Sequence, residues 1–122
     1  MATAVRALRG ATTIDEDTPA QIQERVVALL EQMIDRNGVD HEDIISVFFT
    51  ATEDVVSTFP ATAARTYGLG DVPLICAREL SIEGGTPLCI RVMMHLNTEL
   101  TRAELHHVYL EGARTLRDDL PD

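Results

Sequence analysis

The 122-residue chain contains no lysine: all ten of its basic residues are arginines. That absence excludes Schiff-base chemistry, pyridoxal phosphate attachment and a Walker-type phosphate loop, each of which needs a lysine amine. There is no tryptophan, and aromatic residues make up 4% of the sequence. Cys76 and Cys89 are the only cysteines, too few for a disulfide scaffold in a secreted domain. Ile44 to Thr52 is the longest apolar run without a charge, far short of the roughly 20 residues that cross a bilayer. Met1 to Gly10 already holds Arg6 and Arg9 and shows no signal-peptide stretch. With 20 acidic residues the net charge is −10, which disfavours nucleic acid as a partner because phosphate contacts need basic density. A reduced, cytoplasmic protein away from membranes is expected.

What is present reads as one domain over residues 1–122, since domains commonly run roughly 100–150 residues. Thr3 to Thr13 reads as a strand. Thr18-Pro19-Ala20-Gln21 supplies a helix cap, a proline at the first helical position and the glutamine of a capping box. Ile22, Val26, Leu29, Leu30, Met33 and Ile34 then form one helical stripe, closed by Asn37-Gly38. Ile44 to Thr52 is a buried strand, and Phe59-Pro60-Ala61 opens a short helix stopped by Gly68 and Gly70. Val72 to Glu79 is a further strand, with Pro73 restricting its start to an edge or an entry position.

In Leu88 to Leu96, Ile90, Val92, Met94 and Leu96 make one apolar face. Cys89, Arg91, Met93 and His95 fall on the other. A second capping box stands at Thr101 to Glu104. His107 to Ala113 either continues that helix or forms a last strand, and the alternation of Val108 and Leu110 against Tyr109 and Glu111 favours the strand, ahead of a mobile tail, 114–122. This order predicts an α+β domain with helices on one face of a sheet.

Arg91 is the residue that chemistry singles out. A mid-strand guanidinium is costly to bury unpaired, so either a carboxylate of this chain or an anionic ligand meets it; Glu79 is the internal partner at hand. Arg9, late in the first strand, has the same character. His106 and His107 are adjacent and cannot face one ion together, no metal-ligand spacing occurs, and neither a metal nor any cofactor is expected. Cys76 has no basic neighbour in sequence to make it a nucleophile.

Six segments in order carry a resemblance. They are Arg9-Gly10-Ala11-Thr12-Thr13, Phe59-Pro60-Ala61 with Ala64-Arg65, Val72-Pro73-Leu74 with Cys76 and Glu79, Cys89 to Met94, His107 to Glu111, and Leu116-Arg117. Together they resemble the monofunctional AroH-class chorismate mutases over nearly the whole chain. The resemblance implies a five-stranded mixed sheet with one long helix and short helices on one face. Three subunits then form a homotrimeric pseudo-α/β barrel with active sites between neighbours. It also implies that chorismate is converted to prephenate, on the route to phenylalanine and tyrosine.

The family's pattern carries a role onto individual positions. Arg91 donates to the ether oxygen, Arg9 and Tyr109 meet the side-chain carboxylate, and Arg65 and Arg117 lie nearer the ring end. Glu79 and Cys76 meet the ring hydroxyl, while Phe59, Ala61, Leu74 and Leu116 form apolar walls. Two positions depart from the pattern: Thr62 stands where a lysine can occur, and Ile75 replaces a threonine. A non-catalytic trimer that binds or senses a small carboxylate is the alternative from another class. An imine-deaminating trimer of similar architecture is disfavoured by the intact Cys89 to Met94 and His107 to Glu111 segments.

Overall fold

The structure, a computed structural model, describes residues 3–116. Five strands make one mixed sheet: β1 (Ala4–Thr13), β2 (Ile44–Ala51), β3 (Leu74–Arg78), β4 (Cys89–Thr98) and β5 (Val108–Tyr109). Their order across the sheet is β3-β2-β4-β1-β5. The central β4 runs antiparallel to both β1 and β2, whereas β1 and β5 pair in parallel, as do β2 and β3. Pro73 lies just ahead of β3, which is an edge strand, so its missing N–H interrupts no ladder.

One face of the sheet is covered by α1 (Pro19–Asn37). Ile22, Val26, Leu29, Leu30 and Met33 are fully buried against Leu8, Val47, Ile90, Met94, Leu96 and Val108. The helix packs tightly over Gly10, where a Cβ would sit 2.5 Å from Met33 Sδ and 3.1 Å from Leu29 Cδ1. The apolar stripe read from the sequence is thus the buried face of the helix, with Ile34 at its margin.

Thr18 caps α1 by accepting from the Gln21 N–H at 3.2 Å, and Gly38 ends it at φ 56°. The expected capping box forms only by half. The Gln21 side-chain oxygen turns away from Thr18 and accepts instead from the backbone N–H groups of Asp15 and Glu16, which gather the loop after β1. The box at Thr101–Glu104 is complete and caps a single 3₁₀ turn, Arg102–Glu104. That backbone contact holds the Glu104 carboxyl below its ordinary range.

The last strand is shorter than the sequence pattern indicates. Only Val108 and Tyr109 pair, with Gly10 and Ala11. Glu111 then takes a left-handed φ of 52°, the Gly112 N–H donates to Thr13 Oγ1 at 2.9 Å, and Glu111–Thr115 coils into a 3₁₀ turn. Arg114 and Thr115, read from sequence as part of the tail, belong to that turn.

Among the described residues, no helix covers the second face of the sheet. Side chains alternate across strands, so the register assigns Val5, Arg9, Ser46, Phe48, Thr50, Ile75, Arg91, Met93, His95 and Tyr109 to this open face. Val5, Phe48, Ile75 and Met93 are large apolar residues left exposed on it. No helix among the described residues is long and apolar enough to cross a membrane.

Candidate active site

Register alone lines up one row across all five strands of the open face: Ala77, Thr50, Arg91, Ala11 and Tyr109. Ala11 puts a methyl group between Arg91 and Tyr109, so the sheet floor stays low between a guanidinium and a phenol. The next row along runs Ile75, Phe48, Met93 and Arg9, which sets Arg9 about 7 Å along the strands from the first row, the spacing of residues two apart. The Arg9 backbone N–H donates to His107 Nδ1 at 2.9 Å and ties β1 to the segment entering β5.

Glu79 follows β3 immediately, and its N–H donates to the Ala51 carbonyl at 2.9 Å, extending the ladder by one residue. Its parity with Ile75 and Ala77 directs the carboxylate to the open face. There Oε2 accepts from Thr50 Oγ1 at 2.8 Å and lies 3.3 Å from Arg91 Nε. Glu79 is three-quarters buried, whereas the Arg91 side chain is 48% exposed, so the guanidinium is paired but accessible. Burial pushes the thiol of the neighbouring Cys89 up, and the Arg91 guanidinium offsets only part of the rise. A raised thiol is a neutral wall, not a nucleophile.

A second group of expected residues gathers elsewhere. Phe59, Ala61, Arg65, Leu74, Ile75 and Cys76 line one cavity of about 450 Å³, joined by Gly70 and Val72. It lies where α2 (Pro60–Ala64) and the wider turn continuing it (Arg65–Leu69) pass β3. Gly68, at φ 120°, permits the bend that ends this segment. Phe59 and Ile75 are largely exposed at its rim. Thr62 is exposed on α2 and is not among the lining residues, Leu116 follows the last 3₁₀ turn, and Arg117 lies outside the described residues.

The expected residues therefore fall into two groups: a polar group with Arg9, Glu79, Arg91 and Tyr109 on and beside the row of Arg91, and a mostly apolar groove with one arginine at the β3 edge. A cavity of about 310 Å³ adjoins the polar group, lined by Arg6, Arg9, Arg102 and His107 among others, with the Arg6 Nε buried and unpartnered among the described residues. No group of three or more histidine, cysteine or acidic side chains is placed to hold a metal among the described residues. Sequence reading missed Thr50, whose place on the face follows from strand alternation but whose contact with Glu79 depends on β2 lying between β3 and β4.

Residues 5–120 match the family model for chorismate mutase type I. The chain is 45% identical over 117 residues to a chorismate mutase AroH of Thermus thermophilus, covering 95% of this chain and 96% of that one. It is 40% identical to a chorismate mutase AroH of Bacillus subtilis over the same length, covering 95% and 92% of the two chains. A solved chorismate mutase from Clostridium thermocellum superposes with a TM-score of 0.87 at 43% identity, covering 89% of this chain and 97% of that one. The family model, relatives aligned over nearly their whole length and a solved relative with a matching fold agree: the chain belongs to the type I, AroH-class chorismate mutases.

Proposed function

We propose that the protein is a chorismate mutase, converting chorismate to prephenate by an intramolecular Claisen rearrangement in the making of aromatic amino acids. The observation that carries the chemistry is Arg91, held by Glu79 at its Nε while half of its side chain stays open to a ligand. In this reaction an ether C–O bond breaks as a C–C bond forms within one molecule. No proton need be moved and no covalent intermediate is needed, so the protein must restrain a compact, chair-like conformer and stabilise separating charge.

The ether oxygen gains negative charge in the transition state, and Arg91 is the donor assigned to it. A fixed donor aimed at developing charge is worth roughly 3–4 kcal/mol. A rate gain of about a millionfold needs around 8 kcal/mol, so conformational restraint and the remaining contacts supply the rest. Chorismate is a dianion. Arg9 and Tyr109 are assigned to its side-chain carboxylate, and Arg65 with Arg117 to the ring end. Glu79 and Cys76 take the ring hydroxyl; Phe59, Ala61, Leu74, Ile75 and Leu116 are the apolar enclosure, with Thr62 at the mouth. Glu79 thus has two tasks, holding Arg91 and accepting from substrate.

The active form is proposed to be a homotrimer with each site between neighbouring copies. Two features support this reading. The open face exposes Val5, Phe48, Ile75 and Met93, which a monomer would leave in water, and the polar row and the apolar groove are separate groups on one chain. A cytoplasmic location is proposed with it. The test is turnover: purified protein in excess EDTA, with no nucleotide added, should consume chorismate and yield prephenate. Binding of chorismate without conversion would instead favour a sensing protein.

A further inference from the structure

Resting on the chorismate mutase reading, we propose that Thr50 is a positioning residue for the reaction, fixing the Glu79 carboxylate so that Arg91 is gripped at Nε and presents its terminal nitrogens to substrate. Thr50 stands opposite Arg91 in the β2–β4 pairing and opposite Ala77 in the β2–β3 pairing, so its hydroxyl lies on the strand between acid and base. Its Oγ1 donates to Glu79 Oε2 at 2.8 Å, and that same oxygen lies 3.3 Å from Arg91 Nε. The other carboxylate oxygen, Oε1, accepts from the Leu80 N–H at 3.3 Å. Both oxygens of Glu79 are thereby tied to neighbours of known position.

The consequence follows from the shape of the guanidinium. A carboxylate free to swing pairs best with arginine through two parallel hydrogen bonds, and that geometry would claim a terminal nitrogen needed by the substrate. An anchored Oε2 engages Nε instead and leaves the Nη groups outside the ion pair. Threonine suits the task because its β-branch limits χ1, so the hydroxyl is held in place as well as supplied. Without it, Glu79 gains freedom and Arg91 loses its fixed reference. Misplacement of a catalytic group by about 1 Å can cost on the order of a hundredfold in rate.

The experiment compares chorismate turnover by the wild type, Thr50→Val, Thr50→Ser, Glu79→Ala and the Thr50→Val/Glu79→Ala double variant, with circular dichroism melts confirming folded protein. Thr50→Val should lower kcat by roughly tenfold to a hundredfold while KM changes by less than about threefold, because the loss falls on transition-state stabilisation. Thr50→Ser, which keeps the hydroxyl, should recover kcat to within about threefold of wild type. On the Glu79→Ala background, Thr50→Val should cost less than about twofold more, since the group it positions is gone. If Thr50→Val does not fold, Thr50→Ala is read in the same way. An active wild type with unchanged kcat in Thr50→Val, or a full loss repeated on the Glu79→Ala background, would overturn the positioning role and leave the enzyme reading intact. A folded wild type without turnover would overturn both.

Discussion

Arg91 occupies an unusual electrostatic position for a residue in an acidic chain. The chain has twenty acidic side chains to ten arginines, yet of the acidic groups only Glu79 meets Arg91 within ion-pair distance among the described residues. A half-exposed pair of this kind contributes little to stability, so its value lies in orientation. Glu79→Gln should therefore lower kcat by about tenfold or more with a change in melting temperature of only a few degrees, read by turnover and thermal unfolding of the same preparation. Arg25 is the opposite case. It donates to the Thr13 carbonyl at 2.6 Å and to Asp15 at 3.0 Å, clamping α1 to the end of β1. Arginine serves in both places, and the neighbours separate the structural clamp from the proposed ligand donor.

At the scale of elements, side-chain amides and carboxylates join segments that are distant in sequence. Asn37, buried at the end of α1, donates to the carbonyls of Met33 at 2.8 Å and His106 at 2.9 Å, and accepts from the His106 N–H at 2.7 Å. Asn37→Ala orphans both backbone groups of His106 and should cost about 2–4 kcal/mol in chemical unfolding. Asp17 accepts from the N–H groups of Val56 and Ser57 at 3.0 and 3.2 Å, and these contacts hold its carboxyl below the ordinary aspartate range. A depressed folded-state pKa gives stability that is complete above the unfolded value and fades as pH falls through the folded one. The melting-temperature gap between wild type and Asp17→Asn should accordingly be widest near neutrality and shrink toward pH 3.

These same elements show what was legible in the sequence. The apolar stripe of α1 and the two-faced pattern of β4 come from local periodicity, and the structure reproduces both. Cys89 departs from that pattern: it sits on the face of Arg91 and yet is buried, at 1% exposure. Thr13, its partner in the ladder, and Thr52, whose hydroxyl takes the Cys89 N–H at 3.0 Å, close over that end of the sheet. The shortness of β5 was hidden because the left-handed Glu111 answers to a long-range bond between Gly112 and Thr13. Half of the first capping box was lost to the loop before it. In the site, Arg91 is legible as a mid-strand charge and Glu79, at the end of the preceding strand, as its internal partner. Thr50 is not, because sheet order brings it between them.

For the whole molecule, the open face is the decisive feature. Phe48 is 48% exposed at the centre of it, between Ile75 and Met93 in the register. In light scattering the wild type should have about three times the 13.4 kDa chain mass, and Phe48→Glu should shift it toward monomer with loss of turnover. The central claim is that each active site joins the polar row of one copy to the apolar groove of the next, and mixing two crippled variants tests it most directly. Arg91→Ala damages only the row and Arg65→Glu only the groove, so each alone should retain less than about a hundredth of wild-type kcat. Unfolded together in equal amounts and refolded, they should form trimers in which about a quarter of the sites combine an intact row with an intact groove, and turnover should rise to about that fraction of wild type. A co-refolded mixture no more active than the two variants measured separately would contradict the account.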